Sequence, residues 1–119
     1  MKKVYLLVAS FAAFNLNAQL FSDNFDAYPA GQYLGPQSLT WSTWSGTEGG
    51  TEDVQITSAN ASSAPNSIYL SSTAANGGPQ DVVLKFGQLY NSGVFTLQKK
   101  VYINSGKTGY YNIQGALTI

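Results

Sequence analysis

The residues that most clearly suggest ligand binding are two tryptophans that lie three positions apart among hydroxyl side chains. Trp41 and Trp44 flank a Ser-Thr pair, and Ser45 follows them. An indole face can stack on the C–H face of a pyranose while neighbouring hydroxyl groups bind the sugar oxygens. Residues three apart on a strand point to opposite faces, so at most one of the two can serve a binding groove. The pair therefore indicates either a glycan platform or two structural tryptophans.

An acidic segment follows this pair. Glu48, Glu52 and Asp53 lie in a loop that also contains Gly49 and Gly50. Paired carboxylates are the acid and nucleophile of glycoside hydrolases, but they need a rigid scaffold that holds their separation. A glycine-rich loop does not provide one, so we expect a solvated loop, with ion binding as the alternative. The sequence thus predicts a protein that is not an enzyme.

A second acidic pair lies near the start of the chain. Asp23 and Asp26 flank Asn24 and Phe25. Calcium is a hard cation that takes carboxylate and carbonyl oxygens, so this pair is the candidate for a structural calcium site. The alternative is that both are solvated residues at the end of a strand, because an EF-hand loop is absent from the sequence. Calcium is the one cofactor that the residues suggest.

Composition excludes several function classes. The 119 residues contain no Cys and no His, which rules out disulfides, thiol nucleophiles, histidine-based triads and the usual zinc sites. Six basic residues balance six acidic ones, and a near-neutral chain lacks the basic face that nucleic acid requires. Charged residues make up 10% and aromatic residues 13%, a combination that favours an extracellular β protein over a disordered tail.

The first eighteen residues have the layout of a secretory signal peptide. Lys2 and Lys3 precede an apolar run over residues 4–14, and Ala18 provides a small residue before Gln19. The run is shorter than the roughly 20 residues that a membrane span needs. The alternative is an amphipathic or core helix. Cleavage would leave residues 19–119 with four lysines against six acidic residues, a net charge of −2. We therefore expect a secreted protein, periplasmic or extracellular, that is not held in the membrane.

Alternating apolar and polar residues predict strands through the rest of the chain. The clearest stretch is residues 80–103, which reads as one β-hairpin with a turn near Gly87 to Gly93. With the tryptophan segment, shorter runs bring the total to seven candidate strands, and no helical period is present. A strand with one apolar face needs a second layer to cover it. The fold class is therefore predicted as all-β, an antiparallel two-sheet sandwich, incomplete at the C-terminus because residues 116–119 read as mid-domain sequence. The shorter runs lie at residues 20–28, 53–57, 67–71 and 109–113.

A resemblance to a known family lies in four segments of the chain: Phe21 to Tyr28, Trp41 to Gly46, Asn66 to Leu70 and Gly78 to Leu84. They are similar to secreted proteins of Bacteroidetes-type bacteria, which begin with a concanavalin A-like lectin/glucanase (laminin-G-like) jelly roll and end with a type 9 secretion sorting domain. The signal ending Asn17-Ala18-Gln19 fits the same group, whereas the sorting domain is absent from this sequence.

The resemblance implies a β-sandwich whose concave sheet holds glycans, often with structural calcium. It carries over no catalytic residue, because the Glu-x-Asp-x-x-Glu strand of the related glucanases has no match here. We expect a non-catalytic carbohydrate-binding or adhesion module whose partner is a polysaccharide or cell-surface glycan. The alternatives are a structural or interaction domain without a glycan site and, third, a glycoside hydrolase. The candidate stacking residues are Tyr33, Trp41, Trp44, Tyr102, Tyr110 and Tyr111, with Thr96 and Gln98 lining the groove.

Overall fold

The computed structural model describes residues 19–114, and their regular structure is strand with almost no helix. The all-β character expected from the sequence is confirmed. A 3-10 turn spans Gly35–Gln37. No helix in this part of the chain has the length and apolar character to cross a bilayer. Residues 19–114 contain four strands: β1 (Trp41–Thr43), β2 (Gln55–Thr57), β3 (Ser67–Tyr69) and β4 (Val82–Leu84).

The strands form two small antiparallel sheets. In one sheet β2 pairs with β3, and Ile56 lies opposite Ile68. The segment before the 3-10 turn runs along the other edge of β2 as a third extended segment. The amide of Leu34 donates to the Val54 carbonyl at 2.9 Å, and the Ile56 amide donates to the Gln32 carbonyl at 2.9 Å. These bonds join β3, β2 and the segment before the 3-10 turn into one patch, called the three-segment patch, with β2 in the middle.

The second sheet joins residues that are distant in sequence. β1 pairs with β4 so that Ser42 lies opposite Val83. Two further backbone bonds extend the ladder, from the Lys85 amide to the Thr40 carbonyl and from the Trp44 amide to the Asp81 carbonyl. In sequence order, β2 and β3 therefore both lie between the paired strands β1 and β4.

The core is small and contacts both sheets. Leu34, Val54 and Ile56 are its fully buried apolar side chains in the described residues. Burying a side chain of this size contributes about 1.5–3 kcal/mol. Alternation along residues 53–57 places Val54 and Ile56 inward and Gln55 outward, as a half-buried strand requires. Partly buried side chains from both sheets and from the turn at residues 25–28 complete the core: Phe25, Tyr28, Trp41, Ile68 and Val82.

The first predicted strand is wrong. Residues 20–24 have no regular secondary structure, and residues 25–28 form bends and turns instead of a strand. Two polar side chains bind the backbone just beyond them. Oδ1 of Asp23 accepts the Phe25 amide at 2.8 Å, and Oδ1 of Asn24 accepts the Asp26 amide at 3.2 Å. Such Asx turns compete with strand pairing, and they leave Phe25 at a φ of 66°. The turn places the Phe25 ring against the core.

The predicted hairpin over residues 80–103 is also wrong, although its first strand survives in part as β4. The partner of β4 is β1, not the following segment. Residues 95–103 and 109–113 contain no strand, and most of their apolar side chains are exposed. Period-two alternation creates a face that can be buried, but it supplies no partner to pair with. The predicted signal peptide, residues 1–18, and the C-terminal residues 115–119 lie outside the described residues.

Candidate functional site

The side chains of two tyrosines and a glutamine form a row across the three-segment patch. Gln55 in β2 lies opposite Tyr69 of β3 on one side and forms a β-bridge with Tyr33 on the other. Residues that are directly opposite in a sheet lie on the same face. Gln55 is exposed, Tyr69 is 53% exposed and Tyr33 is half-buried. The row, defined as the Tyr33–Gln55–Tyr69 row, thus faces solvent.

The row is held from below by the core. The residues on either side of Gln55, Val54 and Ile56, point inward and are fully buried. The bonds from Leu34 to Val54 and from Ile56 to Gln32 bracket the Tyr33–Gln55 pair without joining those two residues to each other. In an antiparallel ladder this pattern marks the closely spaced pair, with Cα atoms about 4.5 Å apart and side chains close together. The tyrosine and the amide therefore act as one contiguous surface.

An open depression lies on each side of Gln55. The first has a volume of about 280 Å³ and the second of about 240 Å³. Both are smaller than an enclosed small-molecule pocket of roughly 300–1,000 Å³, which favours a ligand that lies along the surface. Their walls combine hydroxyl, amide and tyrosine groups with apolar surface. The first is lined by Ala30, Gly31, Gln55, Ile56, Thr57, Ser58 and Tyr69, and the second by Tyr33, Gly50, Thr51, Asp53, Gln55, Ser71, Thr73, Pro79 and Gln80.

The site presents no free charge in the described part of the chain. Asp53 is the one ionisable acid that lines the depressions, and its side chain is fully buried. Its carboxylate accepts backbone amides from Gly49 at 2.9 Å, Gly35 at 3.1 Å and Val54 at 2.7 Å. Those bonds satisfy the carboxylate internally and fasten the acidic loop to the 3-10 turn. Asp53 is therefore a structural anchor beneath the second depression.

The second depression has a wall held by a side-chain amide. Gln80 donates through Nε2 to the Asp53 carbonyl at 3.1 Å, and its Oε1 accepts the Ser71 amide. This residue therefore connects the end of β3 with the segment that leads into β4. The segment is also tied down by its backbone, since the Asp81 amide donates to the Glu52 carbonyl at 2.9 Å. The polar wall is thus positioned by hydrogen bonds on both sides.

Of the six stacking residues predicted from sequence, Tyr33 alone lines either depression in the described residues. Trp41 lies in an aromatic cluster, 5.5 Å from Phe25 and 6.1 Å from Phe21 between ring centroids. Its indole Nε1 donates to Oδ2 of Asp23 at 2.9 Å. Trp41 is therefore placed as a structural residue, and Trp44 is half-exposed just beyond β1.

The three remaining tyrosines lie in the segment without strands. Tyr102 and Tyr110 are strongly exposed, and the Tyr111 ring has the ammonium group of Lys99 2.8 Å from its centroid. A cation on the ring face occupies the position that a sugar would need. Burial lowers the pKa of Lys99. None of these residues is brought next to the Tyr33–Gln55–Tyr69 row, and the same holds for Thr96 and Gln98.

The predicted calcium ligands bind other groups of the chain. Besides the Phe25 amide, Asp23 accepts the Tyr28 hydroxyl at 3.0 Å and the Trp41 indole. Burial, and then the neighbouring Asp23 carboxylate, raises the pKa of Tyr28, while the Ser38 hydroxyl opposes the shift. Asp26 accepts Nδ2 of Asn24 and the backbone amide of Asn66. Within residues 19–114 no three His, Cys, Asp or Glu side chains cluster as a metal site. Calcium stays a prediction.

The other two acids of the loop are hydrogen-bonded to serines. Glu48 accepts the Ser42 hydroxyl at 2.6 Å. Glu52 accepts both the hydroxyl and the backbone amide of Ser45, and these bonds lower the pKa of its carboxyl. The two carboxylates thus bind serines in and after β1, and both fix the loop to that strand.

Sequence reasoning missed Gln55 and Tyr69 as site residues. A signal was present, because alternation with Ile56 and Ile68 places both on the outward face. Their juxtaposition depends on strand register, which a single sequence does not provide when the strands are so short.

Comparison of the chain with protein-family models, curated proteins and solved structures gives no match.

Proposed function

We propose that the protein is a non-catalytic carbohydrate-binding or adhesion module. The observation that carries this proposal is the solvent-facing Tyr33–Gln55–Tyr69 row, with an open depression that exposes no charged group on each side of Gln55. Tyrosine rings provide apolar surface for sugar C–H groups, and a glutamine amide offers two donors and an acceptor for hydroxyls. The partner is accordingly a polysaccharide or a cell-surface glycan.

Binding at such a surface is weak. Each solvent-exchanged hydrogen bond leaves about 0.5–1.5 kcal/mol, and an aromatic contact contributes a comparable amount. An open depression also leaves much of the ligand in water, and association has its own entropic cost. We therefore expect useful affinity for polymers, on which several copies of the site can act together, rather than for single sugars.

The proposed architecture is a two-sheet sandwich of the concanavalin A-like jelly-roll type, exported after removal of residues 1–18. Two antiparallel sheets that share one core support it. The resemblance to secreted Bacteroidetes-type proteins supports the export and the glycan partner. Structural calcium near Asp23 and Asp26 belongs to the same proposal.

Absence of catalysis is part of the proposal. Glycoside hydrolysis needs two carboxylates that face the scissile bond, one of them free to give a proton. Here Glu48 and Glu52 accept hydrogen bonds from Ser42 and Ser45. Asp53 is buried and anchors three backbone amides. All three act as supports of the loop.

The test is affinity electrophoresis of residues 19–119 against a panel of soluble polysaccharides, followed by calorimetry on the strongest. Tyr69→Ala and Gln55→Ala should each weaken binding by about 1–2 kcal/mol, a factor of roughly 5–30. Tyr110→Ala is the matched control, since it removes an exposed tyrosine that lines neither depression. Circular dichroism would verify that each variant folds. Equal weakening by the control, or retention of no polysaccharide by the wild type, would refute the proposal.

A second candidate function is an interaction domain without a glycan site. It is favoured by the many exposed apolar side chains between Phe86 and Ile113, among them Val94 and Val101. Contiguous exposed apolar surface often marks a contact with another macromolecule. The same electrophoresis separates the two functions: under this alternative no polysaccharide retards the protein, and Tyr69→Ala changes nothing except stability.

A further inference from the structure

The spacing of the two tyrosines restricts the ligand further. Tyr33 and Tyr69 lie on the two segments that flank β2, so they are separated by two strand spacings, about 10 Å. The line that joins them runs across the strands and passes over Gln55. A single sugar ring cannot reach both tyrosines, so a ligand that uses the whole row must be an oligomer.

The chemistry of linked pyranoses selects one kind of oligomer. In an extended β-1,4-linked chain, successive units alternate in orientation, so every second unit presents the same face. The repeat of two units has the same length as two strand spacings. Two alternate units can therefore contact Tyr33 and Tyr69 with the same face, while the unit between them offers its hydroxyls to Gln55. A β-1,3-linked chain curls and does not keep this repeat in a straight line.

The charge of the surroundings selects an uncharged chain. No lysine lines either depression in residues 19–114, and the Asp53 carboxylate is buried and fully hydrogen-bonded. Carboxylated or sulfated sugars would lose hydration at this surface without gaining a cationic partner. The hydroxyl and amide groups that are present, including Thr57, Ser71 and Thr73, suit neutral sugar hydroxyls.

We propose that the Tyr33–Gln55–Tyr69 row binds three consecutive units of an uncharged β-1,4-linked polysaccharide that lies across the strands. This inference rests on the proposed function. It specifies the minimum ligand length, the linkage and the charge, none of which the proposed function requires.

The test is calorimetric titration with β-1,4-gluco-oligosaccharides of two to six units, beside the β-1,3-linked series and polygalacturonate. The trimer should bind about 5–30-fold more tightly than the dimer, because only the trimer reaches both tyrosines. Tyr69→Ala should remove this step, and Tyr110→Ala should keep it. The β-1,3 series and polygalacturonate should bind more weakly than the β-1,4 trimer.

The failures of the two proposals look different. Equal affinity for dimer and trimer, or equal affinity for the β-1,3 series or for polygalacturonate, would overturn this inference while binding still depended on Tyr69. Binding of no oligosaccharide and no polysaccharide would overturn the proposed function itself. Loss of the trimer step in both the Tyr69 and the Tyr110 variants would overturn the assignment to this row.

Discussion

The indole nitrogen of Trp41 donates a 2.9 Å hydrogen bond to Oδ2 of Asp23, and this contact joins the first turn of the described chain to strand β1. The same carboxylate accepts the Tyr28 hydroxyl and the Phe25 amide. Three donors from three different positions therefore depend on a single acceptor. The aromatic cluster around Trp41 is positioned by a polar group as much as by ring packing.

Asp23→Ala should lower the free energy of unfolding by about 1–3 kcal/mol, because partly buried donors lose their acceptor. Urea unfolding measures the change, and Trp fluorescence should shift to longer wavelength as water reaches the Trp41 ring. Asp81→Ala is the control, since Asp81 is exposed and contributes through its backbone amide and carbonyl. Equal destabilisation by the two substitutions would contradict the role given to Asp23.

Gly35→Ala should destabilise the protein by about 1–3 kcal/mol through overpacking. A Cβ at this buried position would lie 2.7 Å from Cβ of Glu48 and 2.8 Å from Oδ2 of Asp53. The acidic loop would have to move away from the 3-10 turn, and the Gly35 amide bond to Asp53 would weaken. Thermal and urea unfolding measure the loss.

Gly50→Ala is the matched control for that substitution. Gly50 lies in the same loop, but a Cβ there would have no heavy atom within 4 Å. Its free energy of unfolding should stay within about 0.5 kcal/mol of the wild-type value. A large loss at Gly50, or none at Gly35, would show that the loop is not packed as described.

Glu52 should make stability depend on acidic pH. Hydrogen bonds from the Ser45 hydroxyl and amide lower its folded-state pKa below the unfolded value of about 4.3. The folded state then binds fewer protons, so this contribution is complete above the unfolded pKa and disappears as pH falls through the folded pKa. Urea midpoints measured from pH 7 to pH 3 should fall less steeply in Glu52→Gln than in the wild type.

Ser45→Ala removes one of the two donors to Glu52 and should give an intermediate slope. An unchanged pH dependence in Glu52→Gln would mean that the Glu52 carboxylate is not stabilised in its charged form. The comparison uses slopes with pH, so a constant loss of stability from either substitution does not affect it.

Strand positions are predictable from the sequence in part, whereas pairing is not. The strands predicted at residues 20–28, 95–103 and 109–113 do not form. Alternation around Ile56, Ile68 and Val83 correctly identifies β2, β3 and β4. The partner of β4 is β1, about forty residues earlier in the chain, and that choice depends on a shared core rather than on local pattern. The hairpin prediction favoured the nearest apolar run because short-range pairing is the simplest assumption.

The first turn departs from the predicted strand for a different reason. Phe21 and Phe25 suggested a strand, but Asp23 and Asn24 bind backbone amides two residues ahead. Their spacing is a recognisable turn signal, and it outweighs the preference of the aromatic residues. The Tyr33–Gln55–Tyr69 row depends on the pairing register of three segments. The sequence can therefore indicate Tyr33 as a site residue but not Gln55 and Tyr69 beside it.

The described core has a thermal consequence. It buries three apolar side chains fully, against four buried polar ones in Ser42, Thr43, Asp53 and Asn66. The heat capacity of unfolding grows with newly exposed apolar area and decreases with exposed polar area. A small value makes the curve of stability against temperature shallow. We therefore expect this fold to tolerate cooling well, because a small heat capacity of unfolding weakens the tendency to cold denaturation.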